Sequence, residues 1–196
     1  DKNMRILVVG ENAVKPLNQG GGSSELKVKD MFSPLDALRS TYGDKVKFAP
    51  GYRTGPFEYD KEYPVPQDEL DRLRNEALEM ASDADIVIYI GGLNKNAFQD
   101  CESTDRYQYN LPFGQDRLIE QLAAANRNII IANISGNAYA MPWLDKVAAV
   151  LQSWYLGTMI GPTMAGIISG EVNPSGKLPF TIPRRLDDNS AHHFGD

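Results

Sequence analysis

Apolar and polar residues follow two alternating patterns along the chain. Short runs rich in valine and isoleucine lack strict polar alternation, which is typical of strands buried on both faces of a sheet. These runs predict strands at 5–10, 45–50, 85–92, 127–136 and 148–154. GKLPFTIP, at 176–183, predicts a sixth strand, and its prolines confine that strand to an edge of the sheet.

The segments between these strands have apolar residues at helical spacing. SPLDALRSTYG offers Ser33 as N-cap, Pro34 at the first helical position and Gly43 as the stop signal. Further helices are predicted within 66–84, 114–126 and 157–170. The alternation predicts an α/β fold, a three-layer α/β/α sandwich with a mostly parallel sheet. In such folds, sites form outside the carboxyl ends of the strands.

The size and charge of the chain narrow the classes of partner. With 196 residues, 42% of them hydrophobic, it has room for one well-filled core. The formal net charge of −6 is spread out without a Lys/Arg cluster, so no nucleic-acid partner is expected.

No uncharged run approaches the length that crosses a bilayer, so no membrane partner is expected. One cysteine and two adjacent histidines predict no disulfide, no metal site and no cofactor.

Both ends of the chain are unusual for a complete domain. The first predicted strand begins within a few residues of the start, and the final RRLDDNSAHHFGD is polar, with no helical or strand period. We therefore expect a sandwich domain at 1–185 and a polar tail at 186–196. The tail is expected to lead to a further segment of a longer protein.

A long charged segment follows the predicted strand at 85–92. At 91–113, it is several times longer than the usual strand-to-helix connection of about 2–6 residues, and long ordered loops at this edge are usually functional. Its charged residues include Asp100, Glu102, Asp105 and Arg106. From spacing alone, a solvated ion cluster is the favoured interpretation, because a sequence does not show which acids have perturbed pKa values.

A second long segment, at 10–30, contains three consecutive glycines, which let the backbone come close to a ligand or to another chain. A glycine-rich turn after the first strand is also how dinucleotide-binding sheets begin. Here neither GxGxxG nor GxxxxGK(S/T) is present, and no helix is predicted directly behind the glycines to bind an anion. We therefore favour a flexible or substrate-approaching loop over a nucleotide site.

Several motifs, taken together, carry a resemblance to a known family. In chain order they are GENA, GGGSS, SPLDAL, GLNKN with CESTDR, LPFGQDRLIEQL, SGNAYAMPW, QSWYLG and NPSGKLPFTIP. With them, nearly the whole chain resembles the second domain of glycoside hydrolase family 3, the α/β sandwich of β-glucosidase-like and β-xylosidase-like enzymes. The resemblance implies a preceding (β/α)8-type barrel, often a following fibronectin-like domain, and a β-glycoside or oligosaccharide substrate.

The resemblance also implies which residues act. In this family the barrel supplies a nucleophilic Asp and most sugar contacts, while the sandwich sends a loop across to deliver the acid/base carboxyl. Members often have E-G-x-D-R in that loop, and ESTDR here puts Glu102 at the acid/base position, with Ser103 in place of glycine. Asp105 and Arg106 are then expected to support the loop as a hydrogen-bonded pair.

The rim opposite Glu102 is expected to be lined by Gly21, Gly22 and Ser23, which contact either the substrate or the neighbouring domain. To donate a proton near neutral pH, Glu102 needs a raised pKa, from partial burial or from a neighbouring negative charge. Asp100 is expected to raise that pKa, and Arg106 to lower it.

The family implies a retaining, exo-acting β-glycosidase for the longer protein. The domain by itself is expected to be inactive, because the nucleophile belongs to the barrel. A periplasmic or secreted location is expected, because bacterial members are often found there. An alternative hypothesis is a non-catalytic carbohydrate-binding or interaction domain, since a fold alone does not assign a function.

Overall fold

The structure, a computed structural model, describes residues 3–15, 17–56 and 64–193. The strands are β1 (Ile6–Val9), β2 (Val46–Ala49), β3 (Ile86–Gly92), β4 (Ile129–Ile134) and β5 (Ala149–Gln152). The α-helices are α1 (Pro34–Tyr42), α2 (Gln67–Ser82), α3 (Gln115–Ala125) and α4 (Ile160–Ser169). Each of these elements lies within a segment that the hydrophobic pattern predicts.

The strands form one sheet in the order β2-β1-β3-β4-β5, and every pair is parallel. Leu7, in β1, pairs with Lys47 of β2 on one side and with Val87 of β3 on the other. The sheet therefore grows from β1 in both directions. Where the strand order reverses in this way, the loops after the two neighbouring strands leave a crevice at the carboxyl edge, and α/β proteins bind ligands there.

Helices cover both faces of the sheet. Because side chains alternate along a strand, Leu7 and Val9 point to one face and Ile6 and Val8 to the other. The first face packs against α2 and α3, and the second packs against α1 and α4. The predicted three-layer α/β/α sandwich is confirmed.

Helix α1 shows how local sequence sets the ends of an element. The Ser33 hydroxyl accepts a hydrogen bond from Asp36 N at 3.1 Å, and Pro34 occupies the first helical position. Gly43 ends the helix with a φ of 62°, in the left-handed region that favours glycine. The predicted cap, first residue and stop signal are all confirmed.

The predicted edge strand at 176–183 is wrong, because in the described chain this segment forms no strand and β5 lies at that edge of the sheet. Pro179 and Pro183 lack the backbone N–H that strand pairing needs. Side chains hold the segment instead. Phe180 packs edge-on against Trp154 with ring centroids 5.5 Å apart, and the Tyr109 hydroxyl donates to the Pro183 carbonyl at 2.7 Å.

The tail forms two short 3-10 turns, Leu186–Asp188 and Ser190–His193. Residues 194–196 of the predicted tail lie outside the described residues, and the domain boundary at 185 stays a prediction. Within the described ranges, none of the helices combines the length and the apolar character that crossing a bilayer requires.

Candidate functional site

Two loops meet at the carboxyl edge of the sheet. The glycine-rich loop, residues 10–33, follows β1, and the acidic loop, residues 93–114, follows β3. Because β1 and β3 are neighbours, these loops leave the sheet side by side. They are joined by a parallel bridge between Gly21 and Cys101, and Glu102 N donates to the Gly21 carbonyl at 3.3 Å. The fold thus brings together the two segments in which site residues are predicted.

Buried Gln115, the first residue of α3, ties the two ends of the acidic loop together. Its side-chain nitrogen donates to the Gly92 carbonyl at 2.8 Å. Its Oε1 accepts from Gly92 N at 2.9 Å and from the Tyr89 hydroxyl at 2.7 Å. Within the loop, Phe98 N donates to Thr104 Oγ1 at 2.8 Å. Specific polar contacts therefore order this long loop without regular secondary structure.

The exposed carboxylate of Glu102 contacts the glycine-rich loop. Its Oε2 accepts hydrogen bonds from the Ser23 hydroxyl and from Ser23 N, the latter at 2.7 Å. The bond from the hydroxyl and then the bond from the backbone lower the pKa of Glu102, because both stabilise the charged form. Neither Asp100 nor Arg106 accounts for this shift in the described chain, and the raised pKa expected of a site that includes the nucleophile stays a prediction.

Gly22 allows the close approach of the two loops. Its φ is 101°, a backbone conformation that side chains rarely adopt, and a Cβ here would lie 2.7 Å from the Glu102 Cβ. The close approach expected of the glycines is thus present, and it is made to a carboxylate side chain of the same chain. Contact of Gly21, Gly22 or Ser23 with a substrate stays a prediction.

Ser103 stands where the resembled family often has glycine. Its φ of 67° lies in the left-handed region, which costs a non-glycine residue about 1–2 kcal/mol. The acidic loop therefore keeps a glycine-like backbone at this position despite the serine. The substitution changes the side chain next to Glu102 without changing the backbone conformation that glycine favours.

Asp100 is the buried acid of the acidic loop, with 7% of its surface exposed. Its Oδ2 accepts from Gly136 N at 2.6 Å and from the Tyr155 hydroxyl at 2.8 Å, and its Oδ1 accepts from Asn137 Nδ2 at 2.7 Å. Its carbonyl accepts from Gly21 N at 2.8 Å. Asp100 thus connects the acidic loop to the loops after β1, β4 and β5. The sequence carries no signal for this role, because the side-chain partners lie 36 to 55 positions away.

The predicted pair of Asp105 and Arg106 is not formed in the described structure. Arg106 donates from Nη2 to the Ala138 carbonyl, so it braces the acidic loop against the loop after β4. Burial lowers the pKa of its guanidinium, and the charge of Asp100 opposes that shift. Arg106 turns inward while Asp105 is exposed, which separates the two side chains. A supporting role for Asp105 stays a prediction.

The glycine-rich loop lacks the geometry of a phosphate site. The next helix, α1, begins only at Pro34, so no helix N-terminus directly follows the glycines. The space beside Gly22 is taken by the Glu102 carboxylate, whose charge disfavours an anion. Among the described residues, no three His, Cys, Asp or Glu side chains converge as metal ligands.

Glu102 and Asp100 differ in what they can do chemically at this rim. An exposed carboxyl at the rim can exchange a proton with a molecule bound against it. Asp100 is not placed to attack an external carbon, because it is buried and both of its carboxylate oxygens accept hydrogen bonds. Of these two acids, Glu102 is therefore the one that a molecule bound at the rim can reach.

Known proteins resemble the chain over its whole length. The model of the family described as Glycosyl hydrolase family 3 C-terminal domain matches residues 1–196. The β-glucosidase BoGH3A of Bacteroides ovatus is 51% identical over 195 residues, which cover 100% of this chain and 26% of that protein. An exo-α-(1→6)-L-arabinopyranosidase of Bifidobacterium breve is 40% identical, over 95% of this chain and 23% of that protein.

A solved structure has the same fold. The crystal structure of a β-glucosidase from Kluyveromyces marxianus matches with a TM-score of 0.86 at 19% identity, over 97% of this chain and 38% of that chain. At this identity the likeness concerns the fold alone. The chain spans about a quarter of the length of the two relatives named above, at 26% and 23%.

Proposed function

The chain belongs to the glycosyl hydrolase family 3 C-terminal domain family, and from that membership we propose that it supplies Glu102 as the general acid/base of a retaining, exo-acting β-glycosidase. The nucleophile is an Asp of a barrel domain elsewhere in the longer protein. The substrate is a β-glycoside or a short oligosaccharide. A β-glucoside is the first choice, because the β-glucosidase BoGH3A is 51% identical to this chain.

One observation carries the proposal. The Glu102 carboxylate is exposed at the carboxyl edge of the sheet, where the strand order reverses between β1 and β3. Gly21 and Ser23 hold it there through hydrogen bonds to its backbone and its carboxylate. An acid on an anchored loop at this edge is suited to reach a substrate that a second domain binds against the crevice.

The proposed reaction uses two carboxyl groups. In retaining hydrolysis they lie about 5–5.5 Å apart; one attacks the anomeric carbon while the other gives its proton to the departing oxygen. Glu102 has the second role. When the glycosyl-enzyme forms, the nucleophile loses its negative charge. The repulsion that raised the pKa of Glu102 then ends, and its carboxylate form is available as a base. It then takes a proton from the water that releases the sugar.

The proposal requires a higher pKa for Glu102 in the complete site. In the described chain the bonds from Ser23 lower this pKa. A nucleophile carboxylate about 5 Å away raises it by charge repulsion, and burial beneath a second domain raises it by desolvation. The Glu102 carboxyl is then protonated before the substrate reacts, as a general acid must be.

The central test is Glu102→Ala in the full-length protein. We expect kcat/KM for cellobiose to fall by about 10²–10⁴-fold, because the departing sugar needs a proton. The value for 2,4-dinitrophenyl β-glucoside should fall far less, since dinitrophenolate departs unprotonated, and azide should restore turnover of that substrate. Glu171→Ala, at an exposed glutamate after α4, is the control. Equal losses on both substrates would contradict the acid role.

The isolated chain of 196 residues is expected to hydrolyse no aryl β-glucoside, because the proposed nucleophile lies in another domain. The measurement compares purified wild-type chain with its Glu102→Ala variant, and activity of the wild type above the variant would contradict this part. If the full-length protein does not depend on Glu102, the alternative of a carbohydrate-binding domain is tested by titration with glucose, xylose and cellobiose.

A further inference from the structure

We propose that Asp100 is the positioning residue for the acid/base loop: its buried carboxylate joins three neighbouring loops and thereby places Glu102, two residues later, against the crevice. This proposal rests on the proposed function of Glu102. Asp100 itself does not touch the substrate, and it acts through the backbone that links it to Glu102.

Both oxygens of the Asp100 carboxylate accept hydrogen bonds from donors in other loops. Gly136 N at 2.6 Å and Asn137 Nδ2 at 2.7 Å belong to the loop after β4, and the Tyr155 hydroxyl at 2.8 Å belongs to the loop after β5. Burial raises the pKa of Tyr155, so its hydroxyl stays protonated and remains a donor. A buried carboxylate that accepts several such bonds is held in one orientation.

The backbone of Asp100 continues the same network. Its N–H donates to the Asn94 carbonyl at 2.9 Å, and its carbonyl accepts from Gly21 N at 2.8 Å. Gly21 then accepts from Glu102 N at 3.3 Å, so the two acids flank one bridge. The neighbouring loop lies so close that a Cβ on Gly20 would be 2.9 Å from the Asp100 carbonyl oxygen.

Glu102 depends on this anchor because it has little packing of its own. Its side chain is exposed, and its carboxylate bonds are to Ser23, in the same glycine-rich loop that Asp100 fastens. A shift of the anchor therefore displaces both Glu102 and its hydrogen-bond partner. Displacing a catalytic group by about 1 Å can lower a rate by about 10²-fold.

The test uses Asp100→Asn in the full-length enzyme. The amide keeps the size of the side chain but turns one accepting oxygen into a donor, which opposes one of the present donors. We expect kcat/KM for cellobiose to fall by about 10²-fold, and that for 2,4-dinitrophenyl β-glucoside to fall by less than about 5-fold, because only the first substrate needs a well-placed proton. A loss of stability alone would lower both values in parallel.

A second, milder pair of variants keeps the test valid if Asp100→Asn does not fold. Tyr155→Phe removes one donor to Asp100. We expect kcat/KM for cellobiose to fall by roughly 3–10-fold more than kcat/KM for 2,4-dinitrophenyl β-glucoside. Tyr139→Phe is the matched control, because Tyr139 is a buried tyrosine whose hydroxyl bonds to Gln152 Oε1 at 3.3 Å instead of to Asp100. In Tyr139→Phe, the ratio of kcat/KM for cellobiose to kcat/KM for 2,4-dinitrophenyl β-glucoside should equal that of the wild type.

The outcomes separate the two proposals. If Glu102→Ala shows the leaving-group dependence but Asp100→Asn and Tyr155→Phe change both substrates equally, positioning by Asp100 is refuted and the acid role stands. If Glu102→Ala itself shows no leaving-group dependence, the proposed function fails first.

Discussion

The Glu102 carboxylate meets two donors from one residue, Ser23, although the two residues are 79 positions apart in the chain. The hydroxyl contributes the larger part of the resulting fall in the Glu102 pKa, and the backbone N–H contributes the rest. Because the folded pKa is depressed, this contact stabilises the fold above the unfolded pKa of Glu102. That contribution is lost as the pH falls through the folded value.

Replacing Ser23 by alanine should therefore raise the pKa of Glu102 while leaving the backbone bond in place. We expect the carboxyl carbon of Glu102 to titrate at higher pH in the variant, as followed by carbon NMR of the protein. Ser24→Ala removes an exposed hydroxyl one position later and is the control. Superimposable titration curves for Ser23→Ala and wild type would show that the hydroxyl does not set this pKa.

Residue types alone indicated part of this contact. The three consecutive glycines predict a close backbone approach, and Gly22 does approach another group, with a φ that glycine favours. From the sequence, that group was expected to belong to a ligand or to another chain. Only the folded structure shows that it is the side chain of Glu102.

Helix α4 has a close approach of its own. A Cβ on Gly161 would lie 2.4 Å from the carbonyl oxygens of Phe32 and Ser33, at the start of α1. Gly161 N donates to the Phe32 carbonyl at 3.1 Å, so the first turn of α4 lies directly against that backbone. The glycine therefore sets the distance between the two helices that cover one face of the sheet.

Gly161→Ala is expected to destabilise the protein by about 1–3 kcal/mol, because a methyl group here collides with backbone that cannot rotate away. Gly166→Ala is the matched control in the same helix, since the nearest atom to its Cβ would be Val172 Cγ2, at 3.4 Å. There the gain in helix propensity of roughly 0.5–1 kcal/mol should leave stability equal or higher. Urea unfolding measures both, and equal destabilisation would disprove the steric argument.

The elements themselves followed from local patterns. Strands β1, β3 and β4 are buried and rich in β-branched residues, and α1 has its cap and stop within one short segment. The segment 176–183 also contains spaced apolar residues, Leu178, Phe180 and Ile182, yet it forms no strand. Its prolines remove the donors that pairing needs, and its side chains find partners in Trp154 and Tyr109 instead.

At the scale of the whole molecule, one ion pair links the amino ends of neighbouring strands. Arg5 precedes β1 and Asp85 precedes β3. The Arg5 guanidinium and backbone N–H both donate to the Asp85 carboxylate, each at 2.7 Å. The side-chain bond first, and then the backbone bond, lower the pKa of Asp85 from its usual 3.8 to about 2. The unfolded chain therefore binds a proton at Asp85 more readily than the folded chain does.

This difference predicts how the free energy of unfolding depends on pH. The contribution of Asp85 is present above pH 3.8 and is lost as the pH falls toward about 2. Asp85→Asn should thus lower the free energy of unfolding at neutral pH by a small amount. The difference in this free energy between variant and wild type should disappear as the pH falls. Denaturant unfolding at several pH values measures this difference. Asp83→Asn, which leaves the bonds to Arg5 intact, is the control; a constant gap for Asp85→Asn would contradict the prediction.

The sequence by itself determined the class of fold, the succession along the chain of the strands and helices that form, the ends of α1 and the family, because these depend on local periodicity, capping residues and short motifs. The tertiary structure alone decided which distant residues meet. Strand order places β1 beside β3, and this adjacency brings Ser23 to Glu102 and Asp100 to Gly136 and Tyr155. Such contacts depend on the arrangement of strands in space, and no local pattern in the chain specifies them.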